Sequence, residues 1–148
     1  MEIRSITSAE ACTVRLPVLR PGLPPEAAVF DHDDDPGTRH FGAFDGARLV
    51  GVATFFPEPC PVRPGQRAWR LRGMATYPEM QGRGGGSKLV VEGIRIARAD
   101  SADLIWCNAR VSARGFYEKL GFATVGDEFV LPVAGPHYVM IKDLREPS

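Results

Sequence analysis

The chain has 148 residues, 44% hydrophobic and 24% charged, which predicts one globular domain spanning 1–148 and excludes a disordered or collagen-like chain. Eighteen Lys and Arg balance eighteen Asp and Glu, so no basic field is present to attract nucleic acid or an anionic membrane. No apolar run reaches bilayer length and Met1-Glu2-Ile3-Arg4 is not a signal-peptide core, so a cytoplasmic protein with no membrane partner is expected.

In chain order, Glu2 to Ile6 reads as a strand, and Ser8 as the N-cap of a helix running to about Leu19, which Pro17 kinks or ends. The stretch from Pro21 to Thr38, with Pro21, Pro24, Pro25, Pro36 and the acidic run Asp31 to Asp35, reads as a loop with at most a short helix at Glu26 to Phe30. Arg39 to Phe44 and Arg48 to Phe56 form a predicted hairpin about Asp45-Gly46. The proline-rich Pro57 to Gln66 leads to a third strand, Arg67 to Thr76, completing an antiparallel meander. From Gly84 to about Arg98 the helical period places Leu89, Val90, Gly93, Ile94 and Ala97 on one face, with Lys88, Glu92 and Arg95 turned away. Asp103 to Cys107 is the next strand; Ser112 caps a short helix ending at Leu120, and Gly121 supplies its left-handed terminus. Phe122 to Val125, Glu128 to Leu131 and His137 to Leu144 are the last strands. The strand, helix, strand unit about residue 84 requires one locally parallel pair.

The run Gln81-Gly82-Arg83-Gly84-Gly85-Gly86-Ser87 joins a strand to a helix. Such a turn admits a ligand close to the main chain, and the unpaired amides of the first helical turn favour an anion. A P-loop is excluded because Ser87 precedes Lys88, and a dinucleotide fingerprint because position 87 is serine rather than glycine. The remaining pattern, Gln81, Gly84 and Gly86 after Met74-Ala75-Thr76, resembles the coenzyme A signature of the GNAT superfamily of N-acetyltransferases. Gly115-Phe116-Tyr117-Glu118-Lys119-Leu120-Gly121-Phe122 is similar to that superfamily's second block, in the expected order. Leu19-Arg20, the acidic stretch, Arg39-His40-Phe41, Glu128 and Gly135-Pro136-His137-Tyr138-Val139-Met140 resemble its ElaA-type members.

The resemblance implies an α+β fold. Its mixed, mostly antiparallel sheet has six or seven strands, is flanked by about four helices, and has a parallel pair splayed at the cofactor cleft. It implies acetyl-CoA as co-substrate, no metal, and a small-molecule or peptide amine as acceptor, in a monomer or homodimer. The main chain of Met74, Ala75 and Thr76 would bond the pantetheine arm. Gln81, Gly82, Arg83, Gly84, Gly85, Gly86 and Ser87 would hold the pyrophosphate, with Arg83 adding charge. Tyr117 matches the tyrosine that protonates the departing thiolate. Where many members carry Asn seven residues before that tyrosine, the chain has Arg110, placed at a cofactor contact. This departure keeps a non-catalytic CoA-binding module as the alternative.

The resemblance fixes no general base. Glu128 and His137 are the leading choices, with Asp33 to Asp35 behind them, while His40 could equally hold the acidic loop. Arg70 and Arg72, flanking the cofactor strand, read either as a solvated face or as a pocket for a carboxylate-bearing acceptor. Cys12, Cys60 and Cys107, odd in number and without metal-ligand spacing, read as small hydrophobes.

Overall fold

The computed structural model describes residues 1–145. Among these, seven strands hydrogen-bond in the order β1-β2-β3-β4-β5-β7-β6, accompanied by three α-helices and three short 3-10 turns. The strands are β1 (Glu2–Ser5), β2 (Arg39–Asp45), β3 (Arg48–Pro57), β4 (Ala68–Thr76), β5 (Leu104–Arg110), β6 (Ala123–Leu131) and β7 (Gly135–Asp143); the helices are α1 (Ser8–Leu19), α2 (Gly85–Ala99) and α3 (Arg114–Lys119). No helix among the described residues is long and apolar enough to cross a membrane. The described residues form two compact units, one of Met1–Phe56 with Leu71–Gly93, the other of Pro57–Arg70 with the described residues from Ile94 onward.

In the first unit, β2 pairs antiparallel with both β1 and β3. A register shift between Ala43 and Phe44 opposes Ala43 to Gly51 but Phe44 to Leu49, so β3 carries one extra residue just before the Asp45-Gly46 turn. Gly46 takes the left-handed conformation (φ 61°) that the turn demands. Helix α1 starts one residue earlier than the sequence suggests. Its N-cap is Thr7, whose hydroxyl accepts from the Glu10 amide (3.1 Å) while the Glu10 carboxylate accepts from the Thr7 amide (3.0 Å). Ser8, the expected cap, instead donates to Asp34 (3.0 Å).

Pro17 neither ends nor interrupts the helix. Lacking an N–H, it cannot bond the Thr13 carbonyl, and the Tyr77 hydroxyl lies 3.4 Å from that oxygen as a substitute donor. The core of this unit gathers Ala11 and Val14 of α1 with Val52 of β3 and Ala75 of β4. Along α2, Leu89, Val90, Gly93, Ile94 and Ala97 are buried, as the helical period predicts. Gly93 is glycine for lack of room, because a Cβ there would enter the Phe55 ring. In the loop, the short helix is a 3-10 turn at Pro25–Ala28, ending two residues before the predicted limit.

In the second unit, the parallel ladder set by the strand, helix, strand connection pairs Ala68–Arg70 of β4 with Leu104–Trp106 of β5. Strand β5 continues to Arg110, beyond the predicted Cys107, because β7 supplies antiparallel partners along its whole length, from Leu104 with Asp143 to Arg110 with His137. The segments expected as two strands after Gly121 are one bulged strand, β6. Its pairing with β7 breaks after Val125 with Val139 and resumes at Phe129 with His137, with Gly126 (φ 79°) looping the chain out between. Ser112 is not a helix cap: it lies in a 3-10 turn (Val111–Ala113), and Ala113 precedes α3 without a capping side chain.

At the other end of α3, Gly121 (φ 94°) closes a Schellman motif. The Phe122 amide bonds the Tyr117 carbonyl (3.1 Å) and the Gly121 amide bonds that of Glu118 (3.0 Å). Cys60, Ala68, Leu104, Trp106 and Ile141 form the core here. Both indole N–H groups are satisfied, Trp69 by Asp100 and Trp106 by the Glu58 carbonyl, at 2.8 and 2.9 Å.

Candidate functional site

In the first unit, β4 ends at Thr76 and a 3-10 turn (Pro78–Met80), anchored by buried Met80, carries the chain into the glycine run. The Gln81 side-chain amide donates back to the Thr76 carbonyl (3.2 Å), tying the start of the run to the end of the strand. Gly82 and Gly84 are left-handed (φ 80° and 87°), yet a Cβ at either would meet nothing within 4 Å. Glycine is needed at both for the backbone dihedral, and the space above each is open. Gly85 differs, since a Cβ there would lie 2.7 Å from the Met1 sulfur, a contact that a shift of the Met1 side chain relieves.

The Lys88 amide makes the first helical bond, to the Gly84 carbonyl (3.1 Å). Gly85, Gly86 and Ser87 therefore form the first turn of α2, where amides have no carbonyl to reach within the helix. That turn holds no acidic side chain, and Arg83 stands exposed beside it. Lys88 is exposed too, its ammonium donating to the Met1 carbonyl (3.0 Å). The arrangement suits a phosphate-bearing anion on the positive end of the helix dipole. Upstream, Ala75 is buried and Met74 and Thr76 are half-buried.

Gly73 interrupts β4 just before these residues, with φ 64°; a Cβ there would lie 2.7 Å from Nε of Arg15. The fully buried Arg15 guanidinium thus occupies room that only glycine leaves. It donates to both oxygens of Asp33 (2.6 and 3.0 Å), to the Ala28 carbonyl (3.0 Å) and to the Thr54 hydroxyl (2.7 Å). Thr54 in turn lies 2.8 Å from Nδ1 of His40, whose Nε2 is 2.8 Å from the Asp33 carbonyl. A carbonyl only accepts, so Nε2 of His40 carries a proton and donates to Asp33.

His40 therefore holds the acidic loop in place. Burial alone would raise the Asp33 pKa; hydrogen bonds from Arg15 and the Phe30 amide outweigh it and hold the carboxyl below its ordinary value. Asp34 accepts from Ser8, and Asp35 lies 2.7 Å from Nδ1 of His32. Asp33 and Asp34 thus have partners on α1, and Asp35 within the loop. This network escaped the sequence reading, although one signal was present. Residues 11, 14, 15 and 18 follow the spacing of an apolar helix face, and position 15 is an arginine.

In the second unit, Tyr117 is buried on α3, edge-on to Phe116 and Phe122 at centroid distances of 5.1 and 5.4 Å. Burial, reinforced by Cys107 nearby, pushes its phenol well above 10.0, so it remains a protonated donor. Burial likewise pushes the Cys107 thiol up to about 12, which makes it an inert thiol. Helix α3 covers the face of β5 and β7 that carries Cys107, Tyr138 and Lys142; the Arg114 guanidinium lies over the Tyr138 ring, 5.4 Å from its centroid. His137 and Arg110, directly opposed across the ladder, point to the other face.

Tyr117 and His137 are therefore on opposite faces of that ladder. His137 is buried, with Nδ1 donating to the Gly135 carbonyl (2.7 Å) and its ring tilted over Phe129. That bond leaves the Nε2 lone pair as the basic position. Glu128 is exposed within the β6 bulge, and Arg110 is half-buried.

The sequence pattern of the Acetyltransferase (GNAT) family matches residues 9–122. A Bacillus subtilis (strain 168) protein described as "Uncharacterized N-acetyltransferase YitI" is 33% identical over 145 residues, 98% of this chain and 97% of its own. Among solved structures, an aminoglycoside 6'-N-acetyltransferase complexed with coenzyme A superposes with a TM-score of 0.78 at 16% identity, over 100% of this chain and 99% of that one. Escherichia coli ElaA gives 0.76, also at 16% identity, over 96% and 99%.

Proposed function

The chain belongs to the GNAT family and is an N-acetyltransferase, and from that premise we propose that it moves the acetyl group of acetyl-CoA directly onto a primary amine. The observation that carries this reading is the glycine turn. Two left-handed glycines with open space above them lead into the first turn of a fifteen-residue helix that bears no acidic side chain there. The amides of Gly82 to Ser87 are suited to the pyrophosphate of the donor, and the main chain of Met74 to Thr76 is suited to the pantetheine arm, bonded like an added strand.

In the reaction, the amine nitrogen attacks the thioester carbonyl. A carbon–nitrogen bond forms, the carbon–sulfur bond breaks, and the thiolate leaves with the electron pair. Tyr117 supplies the proton the thiolate takes up, a role suited to a phenol that burial keeps protonated. The proton lost by the amine goes to a base, for which the candidates are the Glu128 carboxylate and, from the face of the ladder opposite Tyr117, Nε2 of His137. The acceptor is a small-molecule or peptide amine.

Free-thiol release from acetyl-CoA across a panel of primary amines, together with the thermal shift produced by acetyl-CoA, tests the reading. A stabilising shift and amine-dependent thiol release are expected. No shift at millimolar acyl-CoA would overturn it. Arg110, standing where the family often has Asn, favours one rival, a CoA-binding module without chemistry. A shift with no thiol released from any amine would establish that rival instead.

A further inference from the structure

We propose that the guanidinium groups gathered around Phe30 form a carboxylate subsite, and that the acceptor is a small amino carboxylate. The inference rests on the acetyl transfer proposed above and names its substrate class. Around the Phe30 ring, the Arg15, Arg72 and Arg20 guanidinium carbons lie 4.4, 4.9 and 5.3 Å from the centroid. These cations come from three separate places in the chain: the interior of α1, strand β4 and the end of α1.

Asp33 already offsets the Arg15 charge, and a second anion would offset the repulsion left between Arg20 and Arg72. The three are not equivalent. Arg15 is wholly buried and held by both oxygens of Asp33, which also accepts from the Phe30 amide (2.9 Å). Arg15 and Asp33 thereby fix the ring. Arg20 and Arg72 flank the same ring and are half-buried, and the Arg20 guanidinium also donates to the Leu19 carbonyl (3.0 Å). A guanidinium stacked on an aromatic face still presents its N–H groups in the planar fork that matches a carboxylate. An arriving carboxylate would add to, or exchange with, the contacts these two already make.

Placement supports the same ligand. Arg72 stands two positions before Met74, where the acyl arm is expected to begin. Two residues of chain, bent at Gly73, hold the two Cα atoms within about 7 Å of each other. An acceptor whose amine and carboxylate lie a few bonds apart spans this interval together with the arginine side chain. The other arginine flagged in the sequence does not belong to the subsite. Arg70 is committed to Glu58 (2.9 Å) and to the Trp106 ring.

The test compares the standard amino acids with their C-terminal amides as acceptors at saturating acetyl-CoA, read by thiol release. The charged forms are expected to be preferred by about tenfold or more in kcat/KM. Arg72→Gln and Arg20→Gln should each raise KM for the carboxylate acceptor and shrink that preference, with Arg72→Lys recovering only part of it. The acetyl-CoA thermal shift in each variant verifies the fold. A second readout needs no turnover: the N-acetyl amino acids should inhibit more strongly than their amides, and this difference should fade in Arg72→Gln. Equal use of acids and amides, or a preference that survives both glutamine variants, would overturn the subsite while leaving the acetyl transfer standing. Absence of acetyl-CoA binding, or of thiol release with every amine, would overturn both.

Discussion

Tyr117 sits in surroundings that suit proton donation and oppose ionisation. Its ring is wedged edge-on between Phe116 and Phe122, and its hydroxyl is pushed well above 10.0 chiefly by burial. Tyr117→Phe keeps that packing and deletes only the donor. Turnover should fall by about a hundredfold or more, the range for a general acid, with the acetyl-CoA thermal shift unchanged. Rate retention in this variant would assign the proton to another group. Gly84 calls for a different substitution. At φ 87° any side chain is strained by about 1–2 kcal/mol, and Gly84→Glu also brings a negative charge to the helix terminus. The variant should fold and lose the acetyl-CoA shift; a wild-type shift would remove the pyrophosphate from this turn.

At the scale of the element, the start of α1 separates two serviceable caps. Thr7 and Ser8 are adjacent hydroxyl residues, but only Thr7 has a glutamate three positions on to complete the capping box. Thr7→Ala should cost about 1 kcal/mol in urea unfolding, whereas Ser8→Ala, losing only an exposed bond to Asp34, should cost far less. The boundary falls one residue before Ser8 because the glutamate, and not the hydroxyl alone, decides which residue caps the helix. Helix α2 was readable because its buried positions repeat with the helical period and nothing competes with them. Strand β6 was not, because Gly126 to Glu128 break the alternation and only pairing with β7 shows that one strand resumes beyond them. Ser112 was a cap by composition alone; the 3-10 turn took the backbone past it.

Over the whole molecule, the glycine turn was legible and the Arg15 network was not, for the same physical reason. Gly82 and Gly84 are dictated by dihedrals that a local pattern records. Arg15, Asp33, His40 and Thr54 come from a helix, a loop and two strands, and the sequence does not say that they meet. The buried weak acids give the fold a pH signature. Burial raises Cys107 from 9.0 to about 12 and Tyr117 above 10.0, so the unfolded chain ionises first. The stability linked to the thiol is complete below about 9 and is lost as pH rises through the window to about 12. Melting temperature should fall along that interval, and less steeply in Cys107→Ala; parallel curves would contradict the thiol's share.

The Schellman motif at Gly121 has a consequence for random mutagenesis. Tyr117 lends its own carbonyl to the motif, and Gly121 holds a left-handed φ of 94° that any side chain would strain. A library screened for lost acetylation should therefore return changes at Gly121 alongside those at Tyr117. Their phenotypes would be easy to confuse, although a glycine has no group to give to the chemistry. Scoring each clone for abundance as well as activity would tell the displaced tyrosine from the missing one.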